Sequence, residues 1–224
     1  LNDKTIAEGG FTSLTAEQTK TILGFEAGPG LGFEYPRLNN EPPFIRVKPD
    51  KPSKDKKGRP AKYLTPRGTG NHLYILPFVQ EVLKNPTFPI LITEGEKKAA
   101  KAVQEGYYCI ALPGVWCFRQ GKGDRKRPIP DLDLIEWGGR IVYICFDSDL
   151  AENENVLHAE SVFAREMEQR GANVRVVRLP DGPKGQNMGL DDFLVAHGEQ
   201  GKAELDKLID AIDSVRSFKR PVAG

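Results

Sequence analysis

The chain has 224 residues, 39% apolar and 28% charged, which suits a globular protein with one good core and a smaller appendage, or two modest domains, and not a disordered chain. Lys and Arg number 32 against 31 Asp and Glu, for a net charge of +1. That excludes a global basic field, so a nucleic-acid partner must be attracted by local patches. No apolar run approaches the roughly 20 residues that cross a bilayer, and no basic-then-apolar leader opens the chain. A cytoplasmic protein without membrane contact is expected. The first residue is Leu1 rather than Met, and a piece of a longer protein is expected.

Residues 1–88 are expected to form a small, basic, mixed α+β subdomain, the texture changing at about Leu76. Residues 15–23 (TAEQTKTIL) predict a short helix with Thr15 as N-cap and Gln18 completing a capping box. A stretch rich in Gly and Pro follows, with strand-like pieces at Gly32–Tyr35 and Phe44–Lys48. Gly28-x-Gly30-x-Gly32 has the spacing of a dinucleotide loop, but no helix pattern follows it, and the glycines read as turn chemistry. The run from Lys48 to Arg67 carries Lys51, Lys54, Lys56, Lys57, Arg59 and Lys62. Two readings stand for it, a solvated loop and a phosphate-contacting arm.

Residues 89–224 are regular. Ile90–Thr93 is a short apolar run of the kind buried on both faces of a parallel sheet. Residues 96–105 (EKKAAKAVQE) read as a helix that Gly106 stops. Tyr108–Leu112 and Arg140–Phe146 are further buried strands, residues 158–170 an amphipathic helix, Asn173–Leu179 a strand at the sheet's border, and Lys202–Ser217 a last helix. Strands alternating with helices of this length give an α/β fold, a parallel β-sheet flanked by helices with right-handed crossovers. Cys109, Cys117 and Cys145 form no C-x-x-C pair and read as reduced core thiols. His72, His158 and His197 are scattered singly.

Ligands gather beyond the carboxyl ends of the strands in open parallel sheets. Two strands here end in acid: Ile90–Thr93 runs into Glu94-Gly95, and Arg140–Phe146 into Asp147-Ser148-Asp149. If the two strands are neighbours, Glu94, Asp147 and Asp149 converge, and converging carboxylates need a cation to balance them. Oxygen donors suit Mg²⁺ or Mn²⁺. In an extended segment residues i and i+2 point the same way, so Asp147 and Asp149 can share one ion. Helix capping explains one acidic strand end easily, and two with D-x-D poorly.

At ILITEGEKKAA (90–100) and IVYICFDSD (141–149) the sequence resembles the TOPRIM domain of bacterial-type DNA primases, topoisomerases and certain nucleases. The resemblance covers roughly Pro89 to His197 and implies a Rossmann-like fold. Gly189-Leu190-Asp191-Asp192-Phe193-Leu194 is similar to a further acidic motif of primases, which implies that Asp191 and Asp192 join the metal shell. Gly32-Phe33, Arg46 and Lys62-Tyr63-Leu64 are similar in order to the subdomain that precedes TOPRIM in primases. The EGEKKA form looks most like primase-like domains of plasmid, phage and other mobile-element replication proteins, often fused to a helicase. One departure is Lys98, where primases usually place an Asp.

The resemblance implies metal-dependent nucleotidyl transfer in DNA replication. Glu94, Asp147 and Asp149 would hold the ion that binds an incoming nucleotide, with Glu94 as a general acid/base. Gly95, Lys97 and Lys98 are the candidate phosphate contacts. A single-stranded DNA template would lie across Lys56, Lys57, Arg59 and Lys62, and across a second cluster at Arg119, Lys122, Arg125, Lys126 and Arg127. Trp116 and Phe118 have the chemistry to stack on a base but read better as core or subdomain-contact residues. Two other functions stay open: a TOPRIM nuclease hydrolysing phosphodiester bonds, and a non-catalytic DNA-binding module of a larger replication protein.

Overall fold

The computed structural model describes residues 1–38, 41–54, 58–148 and 154–217. The amino-terminal part opens with helix α1 (Asp3–Glu8), strand β1 (Phe11–Leu14) and helix α2 (Ala16–Leu23). The Thr15 hydroxyl accepts from the Gln18 N–H while Gln18 reaches back to the Thr15 N–H, the capping box its sequence calls for. Strands β2 (Gly30–Tyr35) and β3 (Phe44–Pro49) follow, and the three strands form an antiparallel sheet in the order β1-β2-β3. Gly30 and Gly32 lie inside β2 and are not turn residues. A Cβ on Gly30 would come within 2.5 Å of the Lys48 carbonyl oxygen, so glycine there permits close strand approach.

The second sheet has five strands in the order β10-β9-β5-β6-β4. These are β4 (Tyr74–Ile75), β5 (Ile90–Glu94), β6 (Cys109–Leu112), β9 (Ile141–Ile144) and β10 (Asn173–Val176). Pairings β5–β6, β5–β9 and β9–β10 are parallel, and β4 alone runs antiparallel, on β6. Strand β10 is an edge strand, as its alternating sequence predicts. Helix α3 (Pro77–Gln80) follows β4, and α4 (Glu96–Gln104) crosses from β5 to β6. A small hairpin, β7 (Arg119–Gln120) with β8 (Arg127–Pro128), follows β6. Helix α5 (Glu154–Gln169) connects β9 to β10, and α6 (Leu190–Ala196) and α7 (Gly201–Ser217) complete the fold.

One buried cluster runs through both parts, from Phe33 and Tyr35 of β2 to Ile90, Ile92, Ile110, Val142 and Ile144 of the parallel sheet. Cys109 and Cys145 are buried in it, as their apolar neighbours predict. Arg140, at the entry to β9, is fully buried. Its guanidinium donates to the carbonyls of Glu136, Phe88, Val82 and Leu83 at 2.7–3.1 Å. Tyr143 and Tyr107 donate to Asp213 and Asp206 and fasten α7 to the sheet. Among the described residues, no helix is long and apolar enough to cross a membrane.

Candidate functional site

Strands β5 and β9 are direct neighbours, with Leu91 opposite Tyr143 and Ile92 opposite Ile144. The Cys145 N–H donates to the Ile92 carbonyl at 2.8 Å, so the chain leaving β9 still follows β5. Glu94 and Asp147 therefore leave the sheet at the same carboxyl-end crevice. Gly95 has φ 96° and ψ 143°, a region that is essentially glycine's own, and its N–H is held by the Leu112 carbonyl at 2.9 Å. This sharp turn carries Glu94 directly into the first turn of α4.

Lys98, one turn into α4, points back at the crevice. Its ammonium contacts both carboxylate oxygens of Asp147, at 2.5 and 2.6 Å. Burial works to lower the Lys98 pKa, but the charge and hydrogen bond of Asp147, with Glu94 and Asp191 behind them, outweigh it and raise it. Ser148 pins the next loop reciprocally: its N–H donates to the Met188 carbonyl at 3.0 Å, and its hydroxyl accepts from the Met188 N–H at 2.8 Å. The adjacent Gly189 is hemmed in. A Cβ there would lie 2.7 Å from Lys98 Cε, 3.0 Å from Asp191 Oδ1 and 3.4 Å from Asp147 Oδ1. Asp147, Lys98 and Asp191 thus meet around one glycine, and Asp192 is exposed beside them.

The antiparallel sheet closes the other side. Glu96 is 1% exposed, and its Oε1 accepts from the Tyr35 hydroxyl and from Arg46 Nη1, both at 2.6 Å. Arg46 also donates to the Pro113 carbonyl at 3.1 Å, and its guanidinium lies 4.4 Å from the centre of the Tyr63 ring. Burial and then Glu96 push the Tyr35 hydroxyl pKa well up. Between the two sheets lies a cleft of about 410 Å³, lined by Arg46, Lys48, Lys62 and Tyr63 on one side and by Glu94 to Lys98, Pro113 and Asp191 on the other. Lys48 and Lys97 face each other across it. The charge of Lys97, then burial, hold the Lys48 ammonium below its ordinary pKa. Like charges brought this close favour an anion between them.

The remaining sequence candidates fall as follows. Asp149, Lys56 and Lys57 lie outside the described residues. Arg59 and Lys62 are exposed, Lys62 at the cleft rim. Lys122, Arg125, Lys126 and Arg127 are exposed around the β7–β8 hairpin, whereas Arg119 is half-buried with its guanidinium 5.3 Å from the Phe118 ring centre. Phe118 is fully buried against Phe163, and Trp116 donates from its indole to Asn155 at 3.2 Å, so both act in packing. Glu96 and Tyr35 escaped the sequence reading. Glu96 carried a signal, a second acid two residues after Glu94 at a helix start, but its burial did not show. Two more paired groups were missed: His72 Nδ1 lies 2.9 Å from Asp131 Oδ1, and Asp131 also accepts from the Leu73 N–H.

The donor chemistry suits a hard divalent cation, since Glu94, Asp147 and Asp191 offer only carboxylate oxygens. Among the described residues, however, no group of three His, Cys, Asp or Glu is placed to hold a metal ion. The cation in contact with Asp147 is the Lys98 ammonium.

Residues 78–201 match the family described as Domain of unknown function (DUF3854). An uncharacterized protein of Picosynechococcus sp. is 34% identical over 185 aligned residues, covering 67% of this chain and 18% of the relative. Two of the solved structures that share the fold are these. One is the Aquifex aeolicus primase (zinc-binding and RNA polymerase domains), with TM-score 0.60, 16% identity, and coverage of 94% of this chain and 53% of that one. The other is the RNA polymerase domain of Mycobacterium tuberculosis primase DnaG, with TM-score 0.60, 15% identity, and coverage of 94% and 72%. That domain has also been solved with a double-stranded DNA oligomer bearing a 6-nucleotide overhang (TM-score 0.53, 15% identity, coverage of 93% and 69%). The chain spans about a fifth of the curated relative and about half of the Aquifex primase chain.

Proposed function

The chain belongs to the DUF3854 family, and from that premise and the geometry of its cleft we propose that it is the nucleotidyl-transfer core of a primase-like protein. The observation that carries this reading is the one cleft in which Glu94, Lys97 and Asp191 stand opposite Arg46, Lys48 and Lys62. Carboxylates and cations gathered around one gap form a receptor for a polyphosphate and its counter-ion. The shared fold with primase RNA polymerase domains supports the same reading.

In this proposal residues 89–224 form a TOPRIM domain and residues 1–88 the basic subdomain that roofs it. Glu94, Asp147 and Asp149 would hold Mg²⁺ or Mn²⁺, with Asp191 and Asp192 as further carboxylates. Such an ion would supply charge stabilisation for the transferring phosphoryl group and for the departing pyrophosphate. Lys48, Lys62 and Lys97 grip the phosphates, and the Gly95 turn lets the backbone approach them. Glu94 also takes or returns a proton at its carboxylate. Lys56, Lys57, Arg59 and the hairpin cations carry single-stranded template, and a fused or separate helicase of a plasmid or phage replication system supplies it.

A second reading, a DNA-binding module without catalysis, is favoured by one observation: Asp147 is engaged by Lys98. One experiment separates the two. Pyrophosphate release and nucleotide incorporation on single-stranded DNA are measured with Mn²⁺ for the wild type and Asp147→Ala. Incorporation lost in the variant establishes the transferase. Strand cleavage in place of incorporation assigns a nuclease, and metal-independent DNA binding with neither reaction assigns the module.

A further inference from the structure

Lys98 occupies a built position. Its stem packs where a side chain on residue 189 would otherwise sit, because Gly189 leaves that space open. Its ammonium touches both oxygens of Asp147, and Glu94 and Asp191 add their fields. The side chain is 19% exposed and Asp147 23%, so solvent screens the pair only in part. Hence a cation already stands among the acids to which a metal-binding role was assigned above.

We propose that Lys98 is a tethered cation that takes the place of a divalent ion among Asp147, Asp191 and Glu94, so that a metal ion engages Asp147 only by displacing the lysine. This rests on the nucleotidyl-transfer reading for the identity of the displacing ion. An ammonium and a divalent cation cannot share one carboxylate cheaply, because both charges are positive and the crevice is only partly hydrated. Bound together, the two repel, and the linkage is reciprocal: whatever frees Asp147 from Lys98 tightens the metal, and the metal frees the lysine. A displaced ammonium on the first turns of α4 lies beside Lys97 and Lys48, where phosphate is gathered. Lys98 therefore couples metal entry to phosphate arrival, and the charge of Asp147 stays compensated when neither is present.

The test is Mn²⁺ binding, followed by calorimetry and by the electron paramagnetic resonance of the free ion, in wild type, Lys98→Gln, Lys98→Arg and Lys98→Gln/Asp147→Asn. Lys98→Gln is expected to bind Mn²⁺ about tenfold tighter or more than wild type, within the usual range for coupled sites. Lys98→Arg should stay near wild type, and the double variant should lose the gain. If Lys98→Gln matches wild type or binds more weakly, while wild type binds measurably, the tethered-cation proposal falls and the metal reading survives. Absence of binding in every variant overturns both. A second measurement needs no variant to fold: the Lys98 side-chain ammonium resonance of the wild type should shift saturably as Mg²⁺ is added, and a resonance indifferent to Mg²⁺ counts against displacement.

Discussion

Arg46 of β3 donates from Nη1 to Glu96 Oε1 at 2.6 Å, joining the antiparallel sheet to the first turn of α4. The Tyr35 hydroxyl donates to the same oxygen. The contact lies in the wall of the cleft and fixes its roof relative to Glu94, two residues before Glu96. Among the described residues, Glu96 Oε2 is buried without a hydrogen-bond partner, which raises the cost of leaving this charge uncompensated.

Removing one partner of this pair should therefore destabilise more than removing both. Arg46→Ala or Glu96→Ala strands a buried charge, a loss of about 3–5 kcal/mol. The apolar double variant Arg46→Met/Glu96→Met should recover a substantial part of it. Urea unfolding midpoints of the three variants check this. A loss below about 1 kcal/mol in both single variants, the size of an exposed pair, would show that the contact is solvent-screened.

Arg140 makes a sharper case. It is 0% exposed, and its four hydrogen-bond acceptors among the described residues are the main-chain carbonyls of Val82, Leu83, Phe88 and Glu136. Burial alone pushes its pKa down, Glu136 opposing. Arg140→Lys is expected to fail as a rescue, because an ammonium cannot reproduce the planar fork. Both Arg140→Ala and Arg140→Lys should lose about 3 kcal/mol or more through unsatisfied carbonyls and a cavity, read from thermal unfolding. A Lys variant within about 0.5 kcal/mol of wild type would refute the fork argument.

These two arginines mark where the sequence stopped being legible. The parallel strands announced themselves as apolar runs, and Thr15 announced α2 through its capping box, because both signals are local. Strand β4 has two residues and shows no period, and α1 has six, too few for an amphipathic pattern. The neighbouring of β5 and β9 was a condition in the sequence reading, and the sheet order supplies it. Arg46 stood out only through a resemblance, and Arg140 looked like the polar margin of a strand. The hydrogen-bond partners of Arg46 and three of the four of Arg140 lie 50 or more residues away, and no window on the sequence joins them.

Stability should fall on the alkaline side. Burial, then the charge of Asp147, push the Cys145 thiol up to about 12 from an ordinary 9.0, and burial lifts Cys109 well above that ordinary value. Burial also raises the Tyr35 and Tyr74 hydroxyls. These groups keep their protons in the fold after the unfolded chain has released them. Their stabilisation is complete below pH 9 and is lost as pH rises through the folded values, at up to about 1.4 kcal/mol per pH unit for each group. Urea midpoints between pH 7 and 10.5 should decline above pH 9, and a level profile refutes the argument. Native protein at pH 8 should leave Cys109 and Cys145 unmodified by a thiol reagent while the half-buried Cys117 reacts first.

The β7–β8 hairpin separates a solvated loop from a phosphate contact by its salt dependence. Lys122, Arg125, Lys126 and Arg127 are exposed, so changing all four to Gln should leave the unfolding midpoint within about 0.5 kcal/mol of wild type. If they touch template phosphates, each contact adds about 0.7 to the slope of log affinity against log salt for a single strand. The quadruple variant should then bind single-stranded DNA more weakly at low salt and show a slope smaller by about 3. Arg119 is the internal control. Its guanidinium is half-buried beside Phe118, so Arg119→Gln should cost stability and leave the salt slope nearly unchanged. An unaltered slope in the quadruple variant would assign the hairpin to solvent, and the template path would then have to run along Arg59 and Lys62 at the rim of the cleft.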